Sequence, residues 1–137
     1  MKKTFKRSID SLNALFAFIH EFIRMHKLDE ALNNAFDLAM EELFVNMVKY
    51  NENSSSDVEI ELLKEENALK AVLTDFDVDR FDISAYKPYN PVQALEERRI
   101  GGIGIHLVKK LMDDVAYEYK DRQSKIILTK YLRNTYV

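Results

Sequence analysis

All three glycines of the chain fall in one run, Gly101-Gly102-Ile103-Gly104. Directly behind them, Ile105-His106-Leu107-Val108-Lys109-Lys110-Leu111 has the pattern of a helix. A helix N-terminus carries free N–H groups and a partial positive charge, which suit a phosphate. Glycine there lets the backbone approach the anion with no Cβ in the way. Two familiar phosphate loops are excluded. A P-loop needs Gly-Lys-Ser/Thr after its spacer, and no such run exists. A dinucleotide fingerprint needs a preceding strand and a further glycine, whereas charged Glu96-Glu97-Arg98-Arg99 precedes and Leu107 stands at the glycine position. The run would also serve as a tight helix entry without a ligand. The gathering of every glycine in it favours phosphate.

Glu42 and Asn46 form the second constellation. Their i, i+4 spacing puts them on one helix face, at the border of the apolar stripe Phe36, Met40, Leu43 and Met47. A carboxamide oxygen can complete the shell of a hard cation such as Mg²⁺, whose other ligands are waters and substrate phosphates. A neighbouring carboxylate can accept a proton from an attacking hydroxyl or water. Taken alone, such a pair is most often a solvated helix edge. His20, His26 and His106 show no metal-ligand spacing. Arg98 and Arg99 could reach a γ-phosphate or a partner protein, and no His–nucleophile pair suggests a hydrolase.

The elements that must position these residues are read from periodicity. A short strand is expected over Thr4–Ile9, then a helix from about Asp10 to Lys27 with the stripe Leu12, Leu15, Phe16, Ile19, Phe22 and Ile23. Leu28-Asp29 breaks it, with Asp29 as N-cap of a second helix running to about Tyr50. A polar turn, Asn51–Ser56, leads to strands at Asp57–Leu63 and Ala68–Thr74 joined by a hairpin. Asp75–Arg99, with Pro88, Asn90 and Pro91, reads as a long loop with a short helix at Val92–Glu97, of a length that usually has a function such as covering a ligand. The glycine run opens a third helix, Ile105 to about Met112, and Val115–Tyr119 with Lys125–Lys130 closes the chain as a hairpin. Helices on one face of a mixed, mainly antiparallel sheet give a two-layer α/β (α+β) sandwich over 1–137.

Composition narrows the partners. The chain of 137 residues is 47% hydrophobic and 31% charged, in the range of a globular domain, and has no cysteine for disulfides or thiolate metal sites. A net charge of −3 without a basic stripe argues against nucleic acid. Met1–Ser8 is charged, and Asp10, His20 and Glu21 interrupt the helix that follows. Neither a signal peptide nor a membrane span is read here, and a cytoplasmic location is expected.

Together these pieces resemble a known family. The run from Ala39 through Glu42 and Asn46 to Tyr50 is similar to the N-box helix of the GHKL (Bergerat-fold, histidine-kinase-like) ATPases. Asp75 at a strand end, with Phe81-Asp82 beyond it, resembles their adenine motif. Arg99 to Asp113 resembles their second glycine box, and Lys125–Lys130 their closing strand. The resemblance spans roughly Asp10 to Leu132, and this short form is most similar to the anti-sigma-factor serine/threonine kinases. It implies ATP and Mg²⁺ as cofactors, with Glu42 as general base and Asn46 as the metal ligand. Asp75 would accept from the adenine amine, Gly101, Gly102 and Gly104 would admit the phosphates, and Thr129 would make a water-mediated contact near the base. One departure is clear: Asp77 stands where the family has glycine, which leaves open whether Asp75 or Asp77 faces the adenine. The implied activity is phosphorylation of Ser or Thr on a small regulatory protein of the anti-sigma-factor-antagonist type, with a sigma factor as a second partner and a homodimer left open. The alternative is a non-catalytic binding module that keeps ATP as a structural ligand or has lost it.

Overall fold

In the computed structural model, residues 1–51, 54–79 and 102–132 are described, with the backbone alone over 102–105. Strand β1, Lys2–Phe5, is followed by a 3₁₀ turn at Ile9–Ser11 and by helix α1, Leu12–Met25. Ser8 Oγ accepts the Asp10 N–H at 3.2 Å, which starts the turn. The strand is therefore shorter than periodicity suggested. Helix α1 buries Leu15, Phe18, Ile19, Phe22 and Ile23, so Phe18 takes the core place expected of Phe16.

The exit from α1 uses no glycine. Lys27 adopts φ 53°. The Lys27 N–H bonds to Arg24 O at 3.1 Å and the Leu28 N–H to Ile23 O at 3.0 Å, the two bonds of a Schellman cap. Leu28 then packs on the core, and the Asp29 carboxylate caps helix α2, Ala31–Tyr50, by accepting the Ala31 N–H at 2.9 Å. The α2 stripe Phe36, Ala39, Met40, Leu43 and Met47 is buried as its spacing required.

Strands β2, Val58–Lys64, and β3, Ala68–Phe76, precede helix α3, Gly102–Leu111; β4, Asp114–Lys120, and β5, Gln123–Tyr131, follow it. The sheet order is β1-β2-β3-β5-β4, and all four pairings are antiparallel where the sequence allowed a mixed sheet. Asp121 and Arg122 join β4 to β5 with φ 52° and 61°, as a tight two-residue hairpin requires.

Side-chain alternation sorts the sheet into two faces. Val58, Ile60 and Leu62 on β2, Leu69, Ala71 and Leu73 on β3, and Ile126 and Leu128 on β5 join one core with α1, α2 and the Val108–Met112 end of α3. Burying each large side chain of this set stabilises the fold by roughly 1.5–3 kcal/mol. The opposite face carries Glu59, Glu61, Lys70 and Val72. The architecture is thus the expected two-layer sandwich, helices on one side of the sheet. The expected loop helix at Val92–Glu97, together with Arg98, Arg99 and Gly101, lies outside the described residues.

Candidate functional site

The core face of the sheet ends in polar residues. Alternation from Ala71 and Leu73 carries Asp75 to the helix side, and Ser124 lies opposite it in register on β5. Over them runs the last part of α2. Asn46, Tyr50 and Asn51 from the helix end, Asp75 and Asp79 from β3 and the chain beyond, and Ser124 line one cleft, floored by Leu43, Met47 and Ile126. An apolar floor with a few convergent polar groups is the usual make-up of a small-molecule site.

Asp75 is 1% exposed and Asn46 7%. A buried carboxylate needs partners, and Asp75 has three bonds. Arg7 NH2 pairs with Oδ1, Arg7 NH1 reaches Oδ2 at 3.3 Å, and Asn51 Nδ2 donates to Oδ2 at 2.7 Å. The Asn46 carboxamide nitrogen has no hydrogen-bond partner among the described residues. Rotation of an amide exchanges its nitrogen and oxygen, so the same buried position can present a carbonyl oxygen to the cleft. An orphaned polar atom at this place fits a group that supplies a partner.

Asp77 occupies the glycine position of the adenine motif and adopts φ 54°, the left-handed conformation glycine takes freely. Its side chain does not line the cleft; Arg122 Nε donates to its Oδ1 at 2.9 Å, and Arg122 NH1 donates to Asp79 Oδ1 at 3.0 Å. The bonds accepted first by Asp77 and then by Asp79 push the Arg122 guanidinium above its ordinary value. These charges are exposed and screened by water, so the cluster shapes the turn more than it stabilises it. The two aspartates left open by the motif are thereby separated: Asp75 borders the cleft, and Asp77 supplies the turn.

Glu42 sits one helical turn before Asn46 and is half-buried. Burial raises its carboxyl pKa, the Glu41 charge adds to the rise, and Lys49 partly offsets it. A raised carboxylate is the better proton acceptor near neutral pH. It does not itself line the cleft around Asp75.

Helix α3 starts at Gly102, earlier than the expected Ile105. Gly102, Ile103 and Gly104 thus form its first turn, where N–H groups have no partner within the helix. Its last turn is tied down by Asp113, whose Oδ2 accepts the Tyr131 N–H at 2.6 Å and whose N–H bonds to Thr129 O at 2.9 Å.

Thr129 stands on the other parity of β5. It is buried, but it alternates with Leu128 and shares its sheet face with Lys70, its partner on β3, so its side chain lies across the sheet from the cleft. Ser124, on the Ile126 and Leu128 parity, is the β5 hydroxyl that lines the cleft. Counting alternation back from Leu128 would have located it. Arg7 and Asn51 were also missed, and no local pattern marks either of them.

This arrangement of helix α2 over a β3 carboxylate, with a helix that opens on glycine, defines a class. The chain matches the histidine kinase-like ATPase domain over residues 5–130 and belongs to that family. Among its relatives, the serine-protein kinase RsbW of Listeria monocytogenes serovar 1/2a is 34% identical over 106 residues, 73% of this chain. The match spans 66% of that relative, just under two thirds of its length. Among solved structures, the RsbU and RsbW domains of Rv1364c from Mycobacterium tuberculosis align with a TM-score of 0.70 at 12% identity, over 98% of this chain and 33% of that one. The SiaB–SiaC complex from Pseudomonas aeruginosa aligns with 0.65 at 11% identity, over 96% and 88%. At such identities these two likenesses show the fold. No helix among the described residues is long and apolar enough to cross a membrane.

Proposed function

We propose that the chain binds ATP with Mg²⁺ in the Asn46–Asp75 cleft and transfers the γ-phosphoryl group to a Ser or Thr of a small regulatory protein of the anti-sigma-factor-antagonist type. The observation that carries this reading is the meeting of two buried polar groups, the Asp75 carboxylate and the orphaned Asn46 amide, at one cleft in a histidine kinase-like ATPase domain. The kinase names of the relatives and the partner complex of the SiaB–SiaC structure support the choice of reaction and of a protein acceptor.

In this reading Asp75 accepts from the adenine amine, Ser124 assists at the base, and the first-turn amides at Gly102 and Gly104 receive the phosphates. Asn46 would hold Mg²⁺, which neutralises phosphate charge when bound. Glu42 takes the proton of the acceptor hydroxyl as its oxygen bonds to the γ-phosphorus and ADP leaves. Sequestration of a sigma factor, a dimeric assembly and a cytoplasmic location complete the proposal as the family likeness suggests them.

Binding is tested by calorimetry with ATP and Mg²⁺, and transfer by radiolabelled ATP with candidate small regulatory domains. Stable complexes without label in either protein would make the chain a binding module instead. Gly102→Ala with Gly104→Ala is expected to weaken ATP at least about tenfold, roughly 1.4 kcal/mol, by placing methyl groups against the phosphates. Alanine is the better helix former, so thermal stability should hold or rise. Ser124→Ala is expected to lower ATP affinity about fivefold, the loss of one ordinary hydrogen bond, whereas Thr129→Val leaves it within about twofold. The reverse ranking in titrations would return the β5 contact to Thr129.

A further inference from the structure

Next to Asp75, and outside the lining of the cleft, stands a buried cation. Arg7 is 7% exposed at its side chain and does not line the cleft; it borders a separate surface hollow with Lys6, Lys49 and Ser54. Its guanidinium gathers three separate pieces of chain. NH1 donates to Met47 O at 3.1 Å in the last turn of α2, NH2 donates to Ser54 Oγ at 3.3 Å, and both reach the Asp75 carboxylate. Ser54 Oγ in turn donates to Phe76 O at 2.8 Å, which ties the same cluster to the residue after Asp75.

We infer that Arg7 is a positioning residue that orients the Asp75 carboxylate so that it offers the cleft one acceptor for one exocyclic N–H of a purine. This rests on the ATP reading above. An ionised carboxylate offers about four lone-pair positions. Among the described residues Arg7 takes one on each oxygen and Asn51 a second on Oδ2, which leaves a single position, on Oδ1. A forked guanidinium holds a carboxylate in plane through two parallel bonds, whereas an ammonium acts as a point charge and permits rotation. The cation also sits at the C-terminal end of α2, where the helix dipole favours positive charge. An acceptor held in this way reads the presence of a 6-amino group. A freely turning carboxylate would find water instead.

The experiment compares ATP with the triphosphate of purine riboside, which lacks the 6-amino group, by calorimetry in Mg²⁺ on the full chain and on Arg7→Lys. Arg7→Lys keeps the charge beside Asp75 and removes the fork together with some of the bonds to Met47 O and Ser54 Oγ, and urea denaturation of the variant checks that the fold is kept. The wild type should prefer ATP by at least about tenfold, since a site built to bond an N–H rejects the analogue lacking it. In Arg7→Lys that preference should fall at least about fivefold, with affinity for the analogue within about twofold of wild type. An unchanged preference in Arg7→Lys, or equal losses for both ligands, overturns the positioning role and leaves ATP binding intact. A wild type that binds neither triphosphate overturns the ATP reading itself and this inference with it, whereas one that binds both alike overturns this inference and leaves ATP binding standing.

Discussion

Glu42→Gln is expected to slow phosphoryl transfer about 10²–10⁴-fold, the usual contribution of a positioned general base, while ATP affinity stays at the wild-type value. Single-turnover transfer alongside calorimetry separates the two quantities. Undiminished transfer would assign this carboxylate to structure alone. The same variant carries a stability signature. Burial first and Glu41 second raise the Glu42 pKa above 4.5, with Lys49 pulling the other way. The fold therefore favours the protonated form. That contribution is fully present below the pKa of the unfolded chain and is lost as pH rises through the folded value. Glutamine never ionises, so the variant should be more stable than wild type near about pH 7, and the gap should close toward about pH 4. Denaturation at both pH values measures it. Wild-type transfer should in turn fall on acidification with a limb above 4.5, because the base works only when ionised.

The second large effect is structural. Arg7→Met is expected to destabilise the fold by about 3–5 kcal/mol, because it leaves the Asp75 carboxylate buried without its counter-charge. Adding Asp75→Asn should recover more than about half of that loss, since an amide in the same place needs no cation. Urea denaturation of the two single variants and the double variant closes the cycle. Additive losses would show that Arg7 and Asp75 stabilise the fold independently of each other.

Local physics made much of the fold legible. The α2 stripe from Phe36 to Met47 repeats at helical spacing and is buried as read, because one apolar face leaves a helix a single way to lie on the sheet. Val58, Ile60 and Leu62 alternate and face the core for the same reason at period two. Restricting glycine to one run also carried meaning: the positive-φ positions among the described residues outside it fall to Lys27, Asp77, Asp121 and Arg122.

Other features were set by contacts that no local window contains. β1 stops at Phe5 instead of Ile9, and the chain turns there with Arg7 buried against a carboxylate 68 positions away. Asp75 and Asp77 were alternatives in the motif; strand parity places Asp75 at the cleft, and Arg122, a residue of a different hairpin, holds Asp77 in the turn. Thr129 and Ser124 are both β5 hydroxyls, and only the register of β5 against β3 shows which one stands opposite Asp75. Sequence by itself determined the elements and the family motifs, because helix and strand periods and glycine's backbone freedom act over a few residues. Tertiary structure decided which side chains converge, because a buried charge is satisfied by whatever partner the packed chain brings to it, however distant in sequence.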